Sequence, residues 1–192
     1  MGELIFFLGL EVKQSHDGTL IHQEKYFQDM LRKFQMIECK AASVTFAAQS
    51  PISTDPEGKP VYRHHYRSMI GSLLYLTASR PEIMFVVYYC ARYQTNPKES
   101  HEIVVKRNFR YQKGSPMLGL WYPKASSIDL VTYSNSDHGG CQLDRKSMSG
   151  GYQYLGHCLV SWKCMKQTSV SISSAEAEYI TASSCCYQFL WI

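Results

Sequence analysis

Apolar positions along this chain recur first at the spacing of a strand, then of helices, then of strands again. Leu4–Gln14 is apolar and strand-like, and Thr19–His22 is a returning strand. Between them Ser15-His-Asp17-Gly18 supplies a turn, with glycine where a positive φ is tolerated. Tyr26, Phe27, Met30, Leu31 and Phe34 then fall at helical spacing, which predicts a helix over Glu24–Met36. Ala41 to Pro60 holds small residues, Pro51, Pro56 and Gly58, and reads as a connector.

From Tyr62 to Lys113 the period is helical. Met69, Ile70, Leu73, Leu74 and Leu76 mark one helix ending near Arg80-Pro81, and Pro81 suits the first turn of the next. Ile83–Tyr93 continues as an apolar helix until Asn96-Pro97, and Glu99–Lys113 is the third. The third helix's apolar stripe runs through Val104, Val105 and Phe109, but also through Asn108 and Gln112. A buried amide without a partner costs about 1–3 kcal/mol, so this face is predicted to be partly wet or poorly packed. After Leu118 the period returns to two. Leu118–Tyr122, Asp129–Asn135, Gly151–Leu155 and Cys158–Lys163 read as strands separated by glycine turns. Ser173–Ile192 reads as a helix capped by Ser173 or Ser174, with Glu176 near its positive end.

The expected fold is α/β (α+β overall). A β-hairpin and helical N-terminal piece precedes a truncated three-stranded antiparallel sheet with one C-terminal helix. The segments are divided as 1–40, 41–61, 62–116 and 117–192. At 192 residues and 45% hydrophobic content the chain is able to bury a core. Its net charge of +4 is mild, but Lys98–Lys124 holds six basic residues against Glu99 and Glu102. That stripe matches phosphate neutralisation and equally a solvated helix face. The seven cysteines form no CxxC pair, so reduced thiols in the cytosol or nucleus are expected and a zinc site is not. No secretion signal is read near Met1, and the apolar run Leu4–Leu10 is too short to span a bilayer.

Candidate chemistry sits in Tyr133-Ser-Asn135-Ser-Asp137 and Ser173-Ser-Ala-Glu176-Ala-Glu178-Tyr179. Asp144-Arg145-Lys146 reads as a charged turn with access to a nucleic-acid backbone. His64-His65 and His138 lack ligand partners at metal spacing, and Ser173-Ser174 has no histidine for a hydrolase triad. Trp121, Tyr122, Trp162, Tyr88, Tyr89 and Tyr93 read as packing residues before base-stacking ones.

Several stretches together resemble the Pol polyprotein of copia-type LTR retrotransposons. They are Gly2-Glu-Leu-Ile-Phe-Phe-Leu-Gly-Leu-Glu-Val12, Tyr66-Arg-Ser-Met-Ile-Gly-Ser-Leu-Leu-Tyr-Leu76, Ser79-Arg-Pro-Glu-Ile83, Leu143-Asp-Arg-Lys-Ser147, Ser161-Trp-Lys163 with Lys166-Gln167, and Ser174-Ala-Glu-Ala-Glu-Tyr179. They occur in family order over almost the whole chain. The resemblance implies that 1–40 is the C-terminal hairpin and helix of a reverse transcriptase. It implies a thumb- or connection-like region over 62–116 and the start of an RNase H-like domain over 117–192. The polymerase's paired aspartates are then expected upstream of Met1, and the third nuclease acid beyond Ile192.

RNase H chemistry uses two Mg2+ or Mn2+ ions between clustered carboxylates. The resemblance places the first catalytic aspartate at Asn135, where an amide stands, and the helix acid at Glu178, which alone marks a weak, incomplete metal site. Asp137 is a possible auxiliary, although 135 and 137 lie about 6–7 Å apart along a strand. A tightly bound ion is therefore not expected. Lys106, Arg107, Arg110, Lys113, Arg145 and Lys146 are the candidate nucleic-acid contacts. The leading expectation is a Pol fragment without independent catalysis. The alternatives are a module binding RNA–DNA hybrid, a residual metal-dependent nuclease, and a domesticated interaction fragment. The rest of the Pol polyprotein is an expected partner; a membrane is not.

Overall fold

The computed structural model describes residues 5–46, 52–141 and 143–192. Leu4 and Pro51, which belong to the predicted first strand and connector, lie outside them. The fold is mixed α/β, as the periodicity predicts. Its strands are β1 (Phe6–Phe7), β2 (Leu10–Gln14), β3 (Gly18–His22), β4 (Leu120–Pro123), β5 (Leu130–Asp137), β6 (Met148–Leu155) and β7 (Cys158–Lys166). Its helices are α1 (Glu24–Lys33), α2 (Arg63–Leu76), α3 (Met84–Ala91), α4 (Glu99–Lys113) and α5 (Ser174–Phe189), with a 3-10 turn at Pro81–Ile83. One sheet has the order β1-β2-β3-β4 and the other β5-β6-β7. The strand read at Leu118–Tyr122 is β4, and it joins the first of these sheets. Among the described residues, no helix is long and apolar enough to cross a membrane.

The chain divides into two compact units. The first runs up to Gln14 and from Leu20 to Leu120; the second comprises Ser15–Thr19 and Trp121–Ile192. The first is a helical unit whose core joins Phe27, Met30 and Leu31 of α1, Tyr66, Met69, Ile70 and Leu73 of α2, Val87 of α3, and Val105 and Phe109 of α4. These are the helical stripes read from the sequence. α1 ends three residues earlier than its apolar spacing implies. Gln35 takes a left-handed conformation (φ 57°). The Met36 amide then donates back to the Leu31 carbonyl at 2.8 Å, closing the helix and turning Met36 into the core.

The α4 stripe is dry where the sequence allows either a wet face or poor packing. Asn108 and Gln112 are fully buried. Asn108 Nδ2 donates to the Val104 carbonyl one turn back at 2.9 Å. Its Oδ1 and both polar atoms of the Gln112 amide have no hydrogen-bond partner among the described residues. Gln112→Leu removes that desolvation penalty at nearly equal volume. Urea denaturation is expected to show a gain of about 1–2 kcal/mol; a loss of stability would mean that the amide is satisfied.

α4 begins on a buried histidine. His101 Nδ1 accepts from the Lys98 amide at 3.0 Å, and its Nε2–H donates to the Ser53 carbonyl at 2.8 Å, which defines the neutral tautomer. Burial holds the imidazole pKa below its ordinary value, against the smaller opposing effect of the Ser53 carbonyl. The unfolded chain therefore binds a proton more readily. His101's contribution is complete above an ordinary imidazole pKa of about 6.5 and declines as pH falls through the lower folded-state value. Denaturation midpoints are expected to drop from pH 7.5 to 5.5, and the drop to shrink in His101→Gln.

The second unit is an antiparallel meander, β5-β6-β7, with α5 across one face. Ser173 caps α5 by accepting from the Glu176 amide at 3.1 Å, while Glu176 Oε2 accepts from the Ile172 amide at 2.6 Å. Gly151 lets helix and sheet approach closely, because a Cβ there would lie 2.6 Å from Cys185 Sγ. Buried polar side chains complete the contact. Ser149 Oγ lies 2.7 Å from Thr181 Oγ1, and Gln167 Nε2 donates to the Ala177 carbonyl at 2.9 Å and to Ser149 Oγ at 3.1 Å.

Candidate functional site

Strand parity determines what the end of β5 presents. Ser149 faces Thr181 of α5, and its cross-strand partner is Ser136. Side chains alternate along a strand, so Ser134 and Ser136 share the α5 face while Tyr133 and Asn135 project to the opposite one. Asn135 is exposed and pairs with Gly150. Glu178 is also exposed, but its Oε1 accepts from the Ser136 amide at 3.1 Å. The carboxylate of Glu178 is thus engaged by the strand backbone, while the Asn135 side chain projects from the face opposite α5. Beside Glu178 a groove of about 350 Å3 is lined by Ser134, Ala175, Glu178, Tyr179 and Ala182, with no second acid.

Two further acids of this unit, Asp137 and Asp144, have local partners. Asp137 accepts from the Met148 amide across the strand pair. Its second oxygen is packed against Gly140, where any Cβ would collide with it. Asp144 Oδ2 is 2.6 Å from Lys166 Nζ, and that bond holds its carboxyl down to about 2. Among the described residues, no three His, Cys, Asp or Glu side chains gather in a geometry able to hold a metal ion.

The basic candidates are likewise committed. Lys106 pairs with Glu102 at 2.8 Å. Arg107 Nε donates to the Val44 carbonyl at 3.1 Å and Arg110 Nε to the Lys40 carbonyl at 2.8 Å. Lys113 Nζ donates to the carbonyls of Ile37 and, at 2.7 Å, Cys39. Three cations of α4, each three residues from the next, therefore clasp the backbone of 37–44, a segment without regular structure. In the second unit Lys146 Nζ donates to the Thr168 carbonyl at 2.6 Å, and Arg145 occupies a left-handed turn position (φ 56°).

Sequence reasoning passed over Gln167 except as a motif residue, although it is the hub between β6, β7 and α5. The available signal was parity: Ser149 and Thr181 are polar residues at inward positions of β6 and α5, and Gln167 directly follows β7. It also left unnoticed a concave patch of tyrosines on the far face of the sheet.

No protein-family model matches the chain, and no solved structure does. Curated relatives do match. The chain is 34% identical over 190 residues to the retrovirus-related Pol polyprotein from transposon RE1 of Arabidopsis thaliana, covering 99% of this chain and 13% of that one. It is 30% identical to the corresponding polyprotein from transposon TNT 1-94 of Nicotiana tabacum, over 96% of this chain and 14% of that one. It is 33% identical to an uncharacterized mitochondrial protein of Arabidopsis thaliana, over 93% of this chain and 74% of that one. The chain thus spans 13–14% of the length of these polyproteins. The motifs in their order, the mixed α/β fold and these likenesses agree: the chain belongs to the family of copia-type retrotransposon Pol polyproteins.

Proposed function

We propose that this chain is a non-catalytic piece of a Pol polyprotein, with its second unit built as the opening of an RNase H-like domain. The observation that carries this is the partition at β5. Asn135 projects from the face opposite α5, and the Glu178 carboxylate is taken up by the backbone amide of Ser136. Two-metal hydrolysis of a phosphodiester requires anionic oxygens that converge on both ions. Mg2+ takes hard oxygen ligands in strict geometry, and one neutral amide pointing away from a single carboxylate meets neither demand. We therefore propose that the chain holds neither Mg2+ nor Mn2+ tightly. Binding of RNA–DNA hybrid along α4 is the weaker reading, because its cations already serve Glu102 and backbone carbonyls of 37–44.

The purified chain, given a labelled RNA–DNA hybrid with Mg2+ or Mn2+, is expected to release no product above a protein-free blank. Asn135→Asp is expected to leave that result unchanged, since the restored acid still faces away from Glu178. Metal-dependent cleavage that disappears in Glu178→Gln contradicts the proposal.

A further inference from the structure

The face of the β5-β6-β7 sheet opposite α5 carries a groove of about 600 Å3 lined by Val131, Tyr133, Tyr152, Tyr154, Gly156 and His157. That volume lies within the range of small-ligand pockets. Tyr133 is 61% exposed, on the sheet face that α5 leaves uncovered. Its ring meets that of Tyr154 edge to face, with centroids 5.9 Å apart and planes at 86°. Two perpendicular rings make a corner in which a flat ligand stacks on one ring while its edge meets the other. His157, itself exposed, adds an imidazole to the lining. The lining holds no Asp, Glu, Lys or Arg. Complementarity therefore selects a neutral flat ring with polar edges and disfavours a phosphate or a carboxylate.

We propose that this groove is a binding site for a nucleobase, stacked on Tyr133 and met at its edge by phenol and imidazole groups. Base–aromatic stacking tolerates any base because each has a π-face, so the site is expected to be weakly selective. The proposal is independent of the nuclease reading, since it uses the other face of the sheet and no metal. The same base chemistry comes from a free nucleoside or from a single strand, and the test separates them.

Saturation-transfer NMR on the whole chain uses adenosine, ribose 5-phosphate and a hexameric oligoadenylate as probes. Transfer is expected to the adenine protons of adenosine and not to ribose 5-phosphate. Tyr133→Leu keeps an apolar side chain but removes the aromatic face, and is expected to weaken adenosine binding about tenfold. Tyr133→Phe keeps the stacking face and most of the affinity. Tighter binding of the hexamer than of adenosine assigns the site to a single strand; equal binding assigns it to free nucleoside. Absence of transfer to adenine protons, equal binding of ribose 5-phosphate, or an unchanged affinity in a folded Tyr133→Leu protein overturns the proposal.

Discussion

Gln167→Ala is expected to lower the stability of the second unit by about 3 kcal/mol, the largest loss of any substitution considered. The side chain is 4% exposed. Its amide nitrogen serves the Ala177 carbonyl and two hydroxyls, and its oxygen accepts from Ser171 Oγ at 2.8 Å. Truncation removes about two net hydrogen bonds, leaves the Ser171 hydroxyl without its acceptor and opens a cavity between strand and helix. Each neutral bond contributes about 1 kcal/mol and the cavity a similar amount. Gln167→Met separates these effects, because it fills the space without the bonds; about 2 kcal/mol of loss is expected from it. Urea denaturation followed by amide exchange along α5 measures both. A loss under about 1 kcal/mol for the alanine variant would mean that the network is ornamental.

In the first unit, Glu82→Ala is expected to cost about 2–3 kcal/mol. Arg80 is buried, with its side chain 3% exposed. Its Nε lies 2.6 Å from Glu82 Oε1, and its Nη1 donates to the Ser115 carbonyl at 2.8 Å. Its second terminal nitrogen has no partner among the described residues. Removing the carboxylate leaves a buried guanidinium held by one carbonyl. Broken buried pairs cost about 3–5 kcal/mol, and the one-third exposure of Glu82 puts this one below that range. Deleting both charges tests the cause. Arg80→Met with Glu82→Ala removes the stranded cation and is expected to recover part of the loss. A double variant no more stable than Glu82→Ala alone would assign the effect to something other than the unpaired charge.

Much of this architecture was legible because burial imposes periodicity. The stripes of α2 and α4 and the alternation of β6 follow from one face packing and the other not. The end of α1 was not legible. It depends on Gln35 accepting a left-handed backbone so that Met36 reaches the core, and no local preference of glutamine announces that. The role of Arg107, Arg110 and Lys113 was hidden for a related reason. A cation donating to a backbone carbonyl leaves no complementary residue in the sequence to pair it with. At the site, parity alone puts Asn135 and Asp137 on one strand face. It does not say which face α5 covers; Gly151 and the Ser149–Thr181 contact decide that. Glu178 therefore comes to the strand at the amide of Ser136, one residue away from Asn135.

The proposed lack of catalysis requires that the carboxylate of Glu178 and the side chain of Asn135 hold no cations between them. Electron paramagnetic resonance of Mn2+ titrated into the whole chain counts bound ions directly. No stoichiometric tight binding is predicted, with the same free-ion signal for the native chain and for Glu178→Gln. Two equivalents of bound Mn2+ in the native chain, lost in Glu178→Gln, would contradict it.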